Sequence, residues 1–97
     1  MAQPLDWRGK SRNGNVASII GSVLVLQQNA RRVGATIVNN GITIKFLSKG
    51  EVAYINQGIP LYPNGGAYEI GLNNPYPGAI SVYCGVAAEN IAWTEDE

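Results

Sequence analysis

The side chains that could take part in catalysis are few in this 97-residue chain, and their types narrow the possible chemistry. The chain contains no histidine and one cysteine. The Ser-His-Asp and Cys-His arrangements that activate a nucleophile are therefore excluded, and so is a disulfide within these residues. Cys84 lies between Tyr83 and Val86 in an apolar run, where we expect a buried apolar thiol rather than a nucleophile.

Carboxylates could still act as a general acid and base without histidine. Glu51, Glu69 and Glu89 each stand alone beside a predicted turn or strand end, and no spacing brings two of them together. The ten asparagines are spread over predicted turns, where tolerance of left-handed backbone explains them better than calcium binding does. We therefore predict that the protein is not an enzyme and has no catalytic residue, no metal and no cofactor.

The charged residues are divided unevenly along the chain. The formal net charge is zero, but residues 1–49 carry all seven basic residues and one acid, and residues 50–97 carry six acids and no base. The neutral total argues against nucleic-acid binding. No apolar run reaches the ~18 residues of a membrane span, and the N-terminus does not read as an export signal. The opposite charges of the two halves could pair within one copy or between copies.

The elements that position these residues are predicted to be short strands following an extended N-terminal arm. Residues 1–15 show no hydrophobic period and form the arm, and residues 16–97 form the single domain. Val16–Gln28 can be interpreted as a helix or a strand, but its β-branched residues favour one long strand bent at Gly21. The tryptophan of this polar arm, Trp7, requires an apolar pocket, either on its own domain or on a neighbouring subunit.

Turn signals divide the rest of the domain. The Asn-Asn-Gly of residues 39–41 predicts a β-hairpin that joins Ala35–Val38 to Ile42–Phe46. The predicted buried face of the second hairpin strand consists of Ile42, Ile44 and Phe46. The remaining predicted strands are residues 52–55, 58–61, 67–72, 79–86 and 90–94, followed by a solvated acidic end at residues 95–97. This pattern predicts an all-β fold, a small jelly roll or β-sandwich of about eight short antiparallel strands.

Several side chains are suited to contacts with another protein. Arg31 and Arg32 precede a predicted strand, where they are either a solvated strand end or an electrostatic contact with an acidic neighbour. Tyr76 lies between two prolines and cannot occupy a central strand, so we expect it at a loop tip or across an interface. The predicted contact residues with another subunit or a neighbouring protein are Trp7, Arg8, Lys10, Arg12, Arg31, Arg32 and Tyr76.

Five short motifs follow one another between residues 29 and 95. They are residues 29–40 (NARRVGATIVNN), 44–46 (IKF, followed by Gly50), 58–70 (GIPLYPNGGAYEI), 75–80 (PYPGAI) and 92–95 (AWTE). In this order they resemble segments of small virion proteins of tailed bacteriophages. The similar features there are an N-x-R-R/K-G-like turn before a strand ending in Asn, "I-P-L-x-P-G-G-x-Y-E", "P-Y-x-G-x-I" and a closing "A-x-V-T-E". The resemblance covers about two-thirds of the chain, and the first 28 residues lie outside it.

The resemblance implies a jelly-roll-like domain that acts in a virion, as a capsid decoration (cement) protein or as a head-fibre or tail component. Our first expectation is a structural protein that binds the outer capsid surface and clamps adjacent major capsid protein subunits. It would act as a dimer or trimer on the virion after synthesis in the bacterial host cytoplasm. Its partners would be the major capsid protein and itself, with no nucleic acid and no membrane. The alternatives are a tail or head-fibre module, or a glycan- or receptor-binding β-sandwich that uses Tyr62 and Tyr76.

Overall fold

The chain folds into two antiparallel sheets of four strands each. The structure is a computed structural model that describes residues 10–97, and within this range it contains eight strands. They are β1 (Ser11–Ala17), β2 (Gly21–Leu26), β3 (Gly34–Asn39), β4 (Lys45–Lys49), β5 (Ile59–Leu61), β6 (Gly66–Ile70), β7 (Ile80–Cys84) and β8 (Asn90–Asp96). A helix able to cross a membrane is not found in the described range.

The strand orders are those of a jelly roll. The first sheet has the order β1-β8-β3-β6 and the second sheet the order β2-β7-β4-β5. Every connection except that from β4 to β5 passes from one sheet to the other, as in two interlocked Greek keys. The predicted all-β fold is therefore confirmed.

Apolar side chains from the inner faces of both sheets form one core. Alternation is clearest in β3, where Ala35 and Ile37 are buried while Thr36 and Val38 are half-buried. The core consists of Val25, Leu26, Ala35, Ile37, Leu47, Leu61, Ile70, Ile80, Val82 and Ile91. Cys84 is fully buried in β7, as expected.

The prediction of one long strand over Val16–Gln28 is wrong, because this segment contributes to both sheets. β1 begins at Ser11, inside the predicted arm, and pairs with β8 as far as Ala17. β2 then begins in the second sheet at Gly21, whose positive φ of 121° turns the chain. Hydrophobic periodicity missed this break because one apolar run supplies the inner faces of two sheets.

The hairpin predicted at residues 39–41 is also wrong, because β3 and β4 belong to opposite sheets. The buried side chain of Asn39 holds this crossover in place. Its Nδ2 donates to the carbonyl oxygens of Thr43 at 2.9 Å and Leu61 at 2.8 Å. Since Leu61 is in β5, one amide connects the end of β3 to the second sheet.

The change of sheet reverses which face of the next strand is buried. Lys45 and Leu47 are fully buried, whereas Ile42 is 79% exposed. The buried face predicted from Ile42, Ile44 and Phe46 is therefore wrong, because the alternation before a crossover does not continue after it.

No strand forms over the predicted residues 52–55. This segment instead crosses the outer face of the second sheet. The Oγ of Ser81 donates to the carbonyl of Gly50 at 2.9 Å, and the Oγ of Ser22 accepts from the backbone N–H of Ala53 at 2.9 Å. These two hydroxyls hold the segment through hydrogen bonds to its backbone. Its larger side chains face outwards.

Candidate functional site

The residues predicted to contact a partner do not form one surface. Trp7 and Arg8 lie outside the described residues. Lys10, Arg12 and Arg31 are exposed. Lys10 continues the pairing of β1 with the end of β8, since its backbone exchanges hydrogen bonds with Glu97.

Arg32 is wrong as an outward contact, because its guanidinium group is buried within its own chain. Its Nε donates to Oε2 of Glu95 at 2.8 Å. Nη1 donates to the carbonyls of Tyr76 at 2.9 Å and Gly78 at 2.8 Å, and Nη2 donates to the carbonyl of Gln27 at 2.7 Å. All three nitrogens are thus engaged inside the molecule, and the group holds together the loops at one end of the sandwich.

Glu95 was predicted to be solvated but lies in β8 with a side chain only 2% exposed. It is paired with Arg32 and with the partly exposed Arg12. Burial by itself would raise the pKa of Glu95, but the hydrogen bonds from Arg32 and Arg12 outweigh it and hold the pKa below its ordinary value. We call these three residues the Arg32 cluster.

An open cleft of about 400 Å³ lies beside the Arg32 cluster, where β2 faces β1. Trp93 forms one wall, and Gly14 of β1 makes room for the indole, because a Cβ at Gly14 would overlap the ring. The guanidinium carbon of Arg12 lies 5.9 Å from the centre of the indole ring. The amides of Gln27 and Gln28 also line the cleft, so it offers hydrogen-bonding groups beside one aromatic ring.

The other end of the sandwich holds a second buried charge, at Lys45. Its side chain is fully buried, and Nζ donates to Oε1 of Glu89 at 2.7 Å, Oδ1 of Asn39 at 2.8 Å and the carbonyl of Thr43 at 3.2 Å. The hydrogen bond from Lys45 is the main cause that lowers the pKa of Glu89, and Thr43 adds to it. We call Asn39, Thr43, Lys45 and Glu89 the Lys45 cluster.

The Lys45 cluster could not be recognised from local sequence patterns. Lys45 alternates with apolar residues, which suggested an exposed position, and Glu89 was interpreted as an isolated turn residue. In the structure, a Cβ at residue 41 would overlap Oε1 of Glu89 and Nζ of Lys45. Glycine is required there because two charged groups approach the backbone.

All three ion pairs among residues 10–97 join a base from residues 1–49 to an acid from residues 50–97. Arg12 and Arg32 pair with Glu95, and Lys45 pairs with Glu89. The opposite charges of the two halves therefore pair within one copy in the described part of the chain.

Tyr76 and Tyr62 lie at opposite ends of the sandwich. Tyr76 is half-buried, packs against the core and has Nζ of Lys49 5.6 Å from its ring centre. Tyr62 is exposed and follows Leu61, which pairs with Lys45. Because Lys45 begins β4 and Lys49 ends it, the two tyrosines are separated by the length of a strand and do not share a glycan site.

Four exposed apolar side chains lie on the outer face of the second sheet. Val52, Tyr54 and Ile55 are each at least half exposed in the segment that crosses this face. Leu24 of β2 is exposed beside them and lines a shallow cleft of about 310 Å³ together with Glu51. We call Leu24, Val52, Tyr54 and Ile55 the outer patch.

The outer face of the first sheet has the opposite character. Its strands align Asn13, Thr94, Thr36 and Glu69 in one row across the sheet. These side chains are small or polar and hydrate well, so this face needs no cover. The outer face of the second sheet, which carries the outer patch, is therefore more apolar than the outer face of the first sheet.

Comparison with known proteins gives no match: no family model, no curated protein and no solved structure is similar to the chain.

Proposed function

We propose that the chain is a structural virion protein that binds the outer surface of a phage capsid and stabilises it by clamping adjacent major capsid protein subunits. The resemblance of residues 29–95 to small tailed-phage virion proteins supports the choice of partner. The jelly-roll fold is compatible with it but does not discriminate, because viral capsid proteins and lectins both use this fold.

The outer patch is the structural feature that best supports the proposed binding. Four large apolar side chains are exposed together, and covering them gains roughly 25 cal/mol per Å² of apolar surface. Exposed apolar side chains grouped on one face mark an interaction surface more often than singly scattered ones do. Glu51 is the one charged side chain among the described residues that line the adjoining cleft.

A clamp needs a second contact surface, and the end of the sandwich near Lys45 provides one. Its loops expose large aliphatic side chains, which are Ile19, Ile20, Ile42 and Val86. The outer patch and this end face different directions, one on the broad face and one at the tip. A protein that binds the assembled shell through both would stabilise the shell by mass action.

The test uses capsid shells of the source phage assembled without this chain. We expect the purified protein to co-sediment with the shells and to raise their melting temperature. A variant with Val52→Ser, Tyr54→Ser and Ile55→Ser should lose binding, whereas the control Leu72→Ser, at a loop residue that is 86% exposed, should retain it. Absence of binding by the unaltered protein would reject the capsid proposal, and equal binding by the triple variant would reject the outer patch as the contact.

The contribution of the arm is best tested by deleting residues 1–9. A longer deletion through residue 15 would remove most of β1 and uncover Trp93, so it would confuse loss of attachment with loss of folding. We expect the short deletion, which removes Trp7 and Arg8, to weaken shell attachment while the unfolding midpoint stays unchanged. Unchanged attachment would show that the arm is not part of the contact.

A tail or head-fibre module would use the same surface on a different particle component. Binding to purified tails or fibres instead of shells, with the same loss in the triple variant, would favour that role. The glycan-binding alternative now depends on Trp93 and its cleft rather than on Tyr62 and Tyr76, and a glycan array that shows specific binding abolished by Gln28→Ala would favour it.

A further inference from the structure

Asn39 presents an activated carboxamide inside the protein. The residue is fully buried, and its Oδ1 accepts hydrogen bonds from the backbone N–H of Gly41 at 2.9 Å and from Nζ of Lys45 at 2.8 Å. The two donors withdraw electron density from Cγ, and the Gly41 N–H would remain in place to stabilise the negative charge that develops on Oδ1 when Cγ is attacked.

Lys45 places an amine beside this amide, and Glu89 places a base beside the amine. Nζ of Lys45 lies 2.7 Å from Oε1 of Glu89, within the range at which a proton is transferred directly. The backbone partners of Lys45 on either side are Leu61 and Cys84, both buried. The apolar surroundings limit the access of water, which would otherwise compete as a nucleophile.

We propose that Lys45 and Asn39 form an intramolecular isopeptide bond by an autocatalytic reaction in which Glu89 accepts the proton. Oε1 of Glu89 takes one proton from the ammonium group of Lys45, and the neutral Nζ attacks Cγ of Asn39. Gly41 N–H stabilises the oxyanion. A second Nζ proton moves to Nδ2, the Cγ–Nδ2 bond breaks and ammonia leaves. The products are a secondary amide between residues 39 and 45, ammonia and a protonated Glu89, so no oxidant or other reactant is needed.

The Lys45 cluster and the Arg32 cluster differ in their ability to form such a bond. The guanidinium of Arg32 donates to the carboxylate of Glu95 and to backbone carbonyls, and none of its partners is a side-chain carboxamide. The bond at Lys45 would join β3 of the first sheet to β4 of the second sheet with a covalent link. It would lock the crossover that Asn39 already holds by hydrogen bonds, and it does not depend on the proposed capsid function.

Intact-mass measurement of the folded, unaltered protein tests the proposal directly. We expect a mass lower than that of the sequence by one ammonia molecule, unchanged by reduction or boiling. Trypsin should fail to cleave after Lys45 and should release residues 33–49 as a single peptide with the same loss. Fragmentation of that peptide should place the link between residues 39 and 45. Full mass in a protein shown to be folded, with normal cleavage after Lys45, would overturn the proposal.

A second reaction could produce the same mass loss and needs a control. The Asn40-Gly41 pair also loses ammonia when the Asn40 side chain closes on the backbone to form a succinimide. Asn40→Ser removes that route and should keep the mass loss and the resistance to trypsin at Lys45. If the loss disappears in Asn40→Ser and cleavage after Lys45 is normal in the unaltered protein, the succinimide explains it and the isopeptide proposal is wrong.

Glu89→Gln tests the role of the base. It retains the shape of the side chain but cannot accept the proton, so we expect full mass and normal cleavage after Lys45 in a protein with an unchanged circular dichroism spectrum. The matched control Lys49→Arg alters an exposed lysine of the same strand and should leave the bond intact. A folded Glu89→Gln protein that still loses ammonia at Lys45 would exclude Glu89 as the proton acceptor.

Discussion

The two buried charge clusters contain similar groups but differ in construction. In the Arg32 cluster, one guanidinium group distributes its hydrogen bonds over four residues. In the Lys45 cluster, a compact amine lies between a carboxylate and a carboxamide. A buried paired cation can therefore hold loops together, as Arg32 does through backbone carbonyls, or lie against a side-chain carboxamide, as Lys45 does.

Arg32→Ala should have the largest effect on stability. It leaves the carboxylate of Glu95 buried with only the partly exposed Arg12 as a partner, and it frees three loop carbonyls. Removal of one member of a buried ion pair costs about 3–5 kcal/mol, so we expect the free energy of unfolding in urea to fall by that amount.

The neighbouring exposed residue provides the control for Arg32. Arg31→Ala should change the free energy of unfolding by less than ~0.5 kcal/mol, since surface substitutions away from special features do little. Arg32→Lys should recover only part of the loss, because an ammonium group cannot reproduce the planar fork of donors. Equal effects of Arg31→Ala and Arg32→Ala would contradict the structural role of the cluster.

Gly41→Ala should have the next largest effect, and it acts on the other cluster. The new Cβ would overlap Oε1 of Glu89 and Nζ of Lys45, and overpacking of this kind costs about 1–3 kcal/mol. Gly34→Ala is the matched control, because its Cβ would meet the carbonyl of Ile70 at 3.3 Å and Oδ2 of Asp96 at 3.4 Å. Urea unfolding that ranks Gly34→Ala as the more damaging change would contradict the tight approach at Gly41.

Lowering the pH should reduce the stability that the Arg32 cluster provides, by less than Gly41→Ala reduces the stability of the protein. The folded-state pKa of Glu95 lies below its unfolded value, which is about 4.3. The contribution of Glu95 to stability is therefore complete above about pH 4.3 and is lost as the pH falls through the folded pKa. We expect the melting temperature to decrease over this acidic range, and Glu95→Gln should decrease less steeply; an equal slope in both proteins would contradict the assignment.

Arg12→Ala should have the smallest effect. Its side chain is 56% exposed, and exposed ion pairs contribute about 0.2–1 kcal/mol. The loss should shrink as salt is added, because solvent-exposed charges are screened. If Arg12→Ala and Arg32→Ala lowered the free energy of unfolding by similar amounts, the predicted difference between the exposed and the buried partner of Glu95 would be wrong.

Much of the fold could be predicted from local patterns. The turn before β6 was read from Asn64 and Gly65, which both have positive φ, and β7 was recognised as an apolar run. The errors occur where the chain changes sheet. Periodicity within a segment cannot show that Val16 and Val25 serve different sheets, or that an Asn-Gly turn leads to a crossover instead of a hairpin.

The buried charges were harder to predict than the strands. Arg32 and Glu95 are 63 positions apart, and Lys45 and Glu89 are 44 apart. Nothing local marks these charged residues as buried, because the free energy that permits burial comes from the distant partner. Exposure was the reasonable prediction for each residue by itself, and only the jelly-roll connectivity brings the pairs together.

The position of β8 has a consequence for how the protein is made. β8 lies between β1 and β3 in the first sheet, and β7 lies between β2 and β4 in the second. The ribosome therefore releases the early strands before either of their central partners exists, and these strands cannot complete a sheet with one another. The first sheet therefore cannot be completed until β8 has been synthesised, and this delay exposes unpaired strand edges to other nascent chains.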